Sequence, residues 1–282
     1  SVIVYTIVTV LSSALVKLSY LMAAFNGADY INAISIMTTV SLISILLICC
    51  VHRKLFRTKV SLNSVLNKDF FRFSIPLFPL GFMVQLNNYL PQFIIRNGND
   101  FSKLGVFSSA VTLSGAVNLI QSGINIFWTP YVLKNYKDKT NDIKSMQNYL
   151  FIILLVFATG VMLFSDVIVF ILGEKYRSAL EYLPFLLLIP ISYTLAEITG
   201  SGIIISKKSY WNIIIYSITI VINFVLAKLM YSLFGVLGVA ISSGLSAIFM
   251  LNFKTIVAQK EFETLESKKK YLFYMIILLL EA

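Results

Sequence analysis

The chain has 282 residues, 58% of them hydrophobic and 13% charged, with a formal net charge of +10. A soluble domain averages about 45–50% apolar and about 25% charged residues, so a large soluble core is excluded and an integral helical membrane protein is expected. The basic residues sit in short clusters between apolar runs, not in a groove-like patch, which excludes nucleic acid as the natural partner.

The first two apolar runs cover about 2–25 and 31–51, each long enough for a helix to cross hydrocarbon. Within the first, Lys17 shares a helical face with Thr6, Thr9, Ser13 and Tyr20. The neighbouring Cys49 and Cys50 have no metal-ligand spacing and make a poor disulfide. His52 is the sole histidine, so neither a metal site nor a cofactor is expected. The chain opens SVIVYTIVTV and ends about ten residues into another apolar run, where a span needs about twenty. A piece of a longer protein is therefore expected.

Residues 52–73 form a basic linker, whose segment LNKDFFRFSIP has the mixture of cations and aromatics expected at a cytoplasmic membrane interface. The third run, about 74–96, has Gln85, Asn88, Gln92 and Arg96 within roughly 80° of one another at about 100° per residue. Asn87 falls about 200° from Gln85 and is expected to point elsewhere. Pro91 lies inside this span. The fourth run, about 104–128, has a second polar stripe of Ser114, Asn118, Gln121 and Asn125.

A fifth run at about 148–172 is followed by a sixth at about 182–205, where Glu197 shares a face with Tyr193, Thr194 and Ser201. A carboxylate has too short a stem to reach the interface from mid-span, so Glu197 is the candidate ion-coupling residue. The seventh run, about 210–231, has a third stripe of Asn212, Tyr216, Thr219 and Asn223. The eighth, about 236–257, has Gly238, Ser242 and Ser246 at four-residue spacing, a face suited to close helix packing. A ninth, incomplete run starts at 271.

The expected fold is all-α: a polytopic transmembrane bundle of about eight full spans plus one truncated span. Alternating the loops puts Arg53, Lys54, Arg57, Lys59, Lys68, Arg72, Lys134, Lys137, Lys139, Lys144, Lys207, Lys208, Lys254, Lys260, Lys268, Lys269 and Lys270 on one side, seventeen of the 23 Lys and Arg. That side is cytoplasmic by the positive-inside rule. Single polar residues in a span serve as interhelical glue, worth about 0.6 kcal/mol per bond. Three stripes of several residues each exceed what packing requires and point to a hydrated interior cavity.

FFRFSIPLFPLGFMVQLNNYLPQFIIRNGNDFSKLGVFSSAVTL, ILGEKYRSALEYLPFLLLIPISYTLAEITGSGIIISKKSYWN and FGVLGVAISS resemble the second lobe of polysaccharide flippases in the multidrug/oligosaccharidyl-lipid/polysaccharide exporter superfamily. The resemblance covers most of 67–257 and implies two six-helix lobes about a central cavity. It places 1–51 as the last two helices of the N-terminal lobe, 52–73 as the linker and 74–257 as the six-helix C-terminal lobe. Residues 258–282 follow as a cytoplasmic loop and truncated span. It implies export of an undecaprenyl-diphosphate-linked oligosaccharide, such as an O-antigen (lipopolysaccharide) or capsule repeat unit, across the bacterial inner membrane, with no bond made or broken. Membrane lipids and a polysaccharide polymerase are the further partners implied. The substrate-binding candidates are Lys17 and Arg96 for the diphosphate, with Gln85, Asn88, Gln92, Asn118, Gln121, Asn125, Asn212 and Asn223 for the sugars. The alternatives are a small-molecule antiporter of the same superfamily, for which a more acidic cavity is expected, and a membrane polymerase or acyltransferase, for which exterior loop residues or histidines are expected.

Overall fold

An apolar run in hydrocarbon must satisfy its own backbone, and helix is the local solution. The computed structural model describes residues 14–19, 21, 22, 25, 27, 29–51, 77–164 and 174–280, and among them there are helices and 3-10 turns but no strand. The chain divides into two compact units, Ser1–Asn67 and Lys68–Ala282. In the first unit, residues 14–19 are helical with Lys17 exposed, and α1 spans Tyr30–Val51. The hydroxyls of Ser35, Thr38, Thr39, Ser41 and Ser44 donate to carbonyls three or four residues back, which lets an apolar helix carry them without unpaired donors. Thr6, Thr9, Ser13, Tyr20 and the segment 52–76 lie outside the described residues.

In the second unit, α2 spans Leu77–Asn97 with Pro91 inside it. Asp100 caps the next helix, its side chain accepting from the Lys103 backbone N–H. The fourth span stays helical throughout but tightens for one turn: α3 (Phe101–Ser114) and α4 (Asn118–Asn135) are joined by a 3-10 turn at Gly115–Val117. The tighter turn falls in the middle of the Ser114–Asn118 stripe. α5 spans Thr140–Leu163 and so begins eight residues before the expected start at 148. A 3-10 segment, Glu174–Glu181, leads into α6 (Leu183–Thr199) and the short α7 (Ser201–Ile205). α8 runs Tyr210–Glu261 with a reversal at Gly235, and α9 is Lys268–Leu280.

Gly235 has φ 61° and ψ −138°, a conformation open almost only to glycine. The chain folds back there so tightly that a Cβ on Gly238 would run into the Met230 carbonyl. The seventh and eighth runs are therefore two arms of a helical hairpin. Contacts Met83–Ser217 and Asn87–Asn223 show α2 parallel to the first arm. Contacts Phe185–Gly244, Thr199–Thr255 and Gly202–Ala258 show α6 and α7 parallel to the second. The third and seventh runs are thus parallel to each other, and so are the sixth and eighth, as the charge alternation requires.

Among the described residues, three helical runs are long and apolar enough to cross a membrane: Phe101–Asn135, Thr140–Leu163 and Tyr210–Glu261. α2 falls short because its amides dilute it. Lipid tails are as apolar as Leu, so packing and hydrogen bonds, not desolvation, hold such helices together. Small residues do this at the α7 seam, where a Cβ on Gly202 would strike the Ala258 carbonyl oxygen. Trp128 does it in the larger core, its Nε1–H donating to Ser201 Oγ at 2.9 Å and to the Ile198 carbonyl at 3.2 Å.

Candidate functional site

Two prolines prepare the backbone for a polar cavity. Proline has no N–H, so Pro91 leaves the Asn87 carbonyl without its i+4 donor, and Pro190 does the same to Leu186. Both carbonyl-bearing residues line a cavity of about 380 Å³ within the second unit. Its polar and aromatic lining includes Gln85, Asn87, Asn88, Tyr89 and Gln92 of α2, Ser114, Asn118 and Gln121 around the α3–α4 turn, Tyr193 of α6, and Tyr216, Asn223 and Ser243 from the two arms of α8, with Val84, Val111, Leu186 and Ile189 among the apolar lining residues. No charged side chain is among the described residues lining it.

A hydrogen-bonded relay holds one side of the cavity. Asn223 Nδ2 donates to Asn87 Oδ1 at 3.0 Å, and Asn87 Nδ2 donates to the Tyr193 hydroxyl at 2.6 Å. Tyr216 packs edge-on against Tyr193, with ring centroids 6.3 Å apart at 73°. At the start of the relay, the buried Asn223 Oδ1 has no hydrogen-bond partner. Tyr193 spends its oxygen on Asn87, which leaves its own O–H as a donor. Beside the relay, the amides of Gln85, Asn88, Gln92, Asn118 and Gln121, with the neighbouring aromatic rings, make a surface for a neutral molecule rich in hydroxyls.

The structure brings together six of the ten substrate-binding candidates: Gln85, Asn88, Gln92, Asn118, Gln121 and Asn223. Asn125 and Asn212 are not among the lining residues. Arg96 lies exposed in the last turn of α2, also outside the lining. Lys17 belongs to the first unit and is exposed there. Asn87 lies on a different face of α2 from Gln85 and Asn88, as expected, but that face is the buried one: the residue is 5% exposed and sits at the centre of the relay. A helical wheel assigns one polar face, whereas α2 has two, one packed against α8 and one open along Gln85 and Asn88. The available signal was the position of Asn87 four residues before Pro91. Tyr193 and Tyr216 were visible only as members of polar faces.

Glu197 lies away from the cavity lining. Its Oε1 accepts from Lys254 Nζ at 2.6 Å, with the Lys254 side chain 6% exposed and that of Glu197 31%. Lys254, counted by its position among the cytoplasmic cations, is thus a buried partner inside the bundle. The adjoining Thr199 and Thr255 hydroxyls share a hydrogen bond at 2.6 Å.

A family model described as polysaccharide biosynthesis protein matches residues 3–181. Comparison with curated proteins and with solved structures gives no match. The family match spans α1 to α5 and contains the α2 and α3–α4 walls of the cavity, and it bears out the family resemblance seen in the sequence. Covering well over half of the 282 residues, it shows that the chain belongs to the polysaccharide biosynthesis protein family.

Proposed function

We propose that the chain takes part in moving a lipid-linked oligosaccharide repeat unit across the bacterial inner membrane for surface polysaccharide synthesis, as a carrier that makes and breaks no bond. The observation that carries this reading is the cavity: amides, hydroxyls and aromatic rings with no charged group among the described lining residues. Sugars present many weak donors and acceptors and flat apolar faces, which Asn and Gln amides and Tyr rings match. Water-filled or partner-lined space is also where such groups are tolerated at membrane depth. An antiporter of cationic drugs is disfavoured, because no carboxylate is among the described lining residues.

The charged diphosphate then belongs at headgroup level, not among the amides. We assign it to Arg96, exposed in the last turn of α2. Its planar fork suits phosphate better than an ammonium does, so export falls in the order Arg96, Arg96→Lys, Arg96→Gln. The decisive test uses the full-length protein in its own host. Asn118→Leu with Gln121→Leu removes cavity donors from a wall outside the relay. Lipid-linked repeat units are expected to accumulate on the cytoplasmic face while membrane levels of the protein stay normal. Undiminished surface polysaccharide in that variant would overturn the cavity as the sugar path.

A further inference from the structure

A second groove, about 470 Å³, lies between the cytoplasmic end of the second α8 arm and the start of α9. One wall is apolar and open, with Ile256 and Leu272 each more than half exposed. The floor is polar but already committed. Gln259 Oε1 accepts from the backbone N–H groups of Thr264 and Leu265, and its Nε2 donates to the Thr199 carbonyl and Thr264 Oγ1. Asn252 Nδ2 donates to the Ile248 carbonyl, and its Oδ1 accepts from the Tyr271 hydroxyl.

With the floor paired, the groove offers a ligand two things: apolar contact along the helices, and the charges at its rim. Those charges are Lys260, Lys268 and Glu263, all exposed. Neither lysine has an ion pair with a described residue, whereas Lys270 nearby is bonded to Glu266 at 2.8 Å. The rim therefore has one net positive charge at the side of the bundle that the basic loops mark as cytoplasmic. A ligand matched to this arrangement has a phosphate at one end, hydroxyls that Glu263 can accept, and an acyl chain to lie against Ile256 and Leu272.

We propose that this groove binds an anionic phospholipid of the inner leaflet, of the phosphoglycerol class, with its phosphate between Lys260 and Lys268. The site is independent of the cargo cavity and of the function proposed for it. A basic residue near an anionic headgroup contributes about fivefold in affinity, so the pair is worth about 25-fold.

The test uses the purified full-length protein in nanodiscs of phosphatidylcholine containing a small fraction of phosphatidylglycerol, read by native mass spectrometry of retained lipid. The expected result is selective retention of phosphatidylglycerol by the wild type and loss of about 25-fold in Lys260→Gln/Lys268→Gln. The control Lys139→Gln/Lys269→Gln, equal in charge but outside the groove, should retain the lipid. A monodisperse elution profile and unchanged thermal midpoint establish that the variants are folded. Equal retention by all three proteins, equal loss in the control, or equal retention of phosphatidylcholine would each overturn the proposal. So would density from another protein segment filling the groove.

Discussion

Glu197 and Lys254 set up a measurable asymmetry. The two are 2.6 Å apart, but burial is unequal: 6% of the Lys254 side chain is exposed against 31% for Glu197. Removing one member of a buried pair strands the other, at about 3–5 kcal/mol when the stranded charge is fully enclosed. Glu197→Gln strands the enclosed ammonium, so we expect a loss near the lower end, about 3 kcal/mol. Lys254→Met strands the less enclosed partner, so a smaller loss, about 1–2 kcal/mol, is expected, between the surface and buried limits. The double variant strands nothing and should fall within about 1–2 kcal/mol of wild type, a coupling of about 3 kcal/mol. The assay is reversible unfolding of the four purified proteins in mixed micelles by denaturing detergent, followed by tryptophan fluorescence. Additive losses would refute the pairing. An unchanged Glu197→Gln midpoint with normal membrane levels and abolished export would identify Glu197 as an ion-coupling carboxylate.

Topology is checked by single cysteines, which should be labelled only from the cytoplasm in 134–144 and only from outside in 97–103; reversed labelling would defeat the span alternation. At the α7 seam, Gly202→Ala puts a methyl group against the Ala258 carbonyl oxygen, and a loss of about 1–3 kcal/mol is expected in the same unfolding assay. Lys103 holds the Asp100 carboxyl below its ordinary value of 3.8 by hydrogen bonding to it. A depressed carboxyl stabilises above its unfolded value, so the thermal-midpoint difference between wild type and Asp100→Asn should be present at neutral pH and vanish as the pH falls below about 3.8.

The sequence is most informative where chemistry is repeated along a helix. Gln85, Asn88 and Gln92 advertise one face of α2 by their spacing, and the structure gathers them with Asn118, Gln121 and Asn223. The limit appears where a side chain has its partner far along the chain. Asn87 meets Asn223 across 136 positions, and Glu197 meets Lys254 across 57, pairings that no periodicity contains. The tighter turn at Gly115–Val117 is equally hidden, because a change from α to 3-10 hydrogen bonding alters no composition. Lys254 illustrates a further blind spot: its place near a span end reads as a loop cation, but the helix continues to Glu261 and encloses it.

The distance between Glu197 and its counter-charge along the chain has a consequence for biogenesis. The two residues are 57 positions apart, so at about 5–20 residues per second α6 is synthesised roughly 3–11 s before Lys254. For that interval the carboxylate lacks the partner that it has in the folded protein. The hairpin at Gly235 then delivers the lysine on its second arm, alongside Thr255, Ala258 and Gln259. A nascent chain halted inside that hairpin presents an acid without its counter-charge, a feature that membrane quality control can recognise and remove.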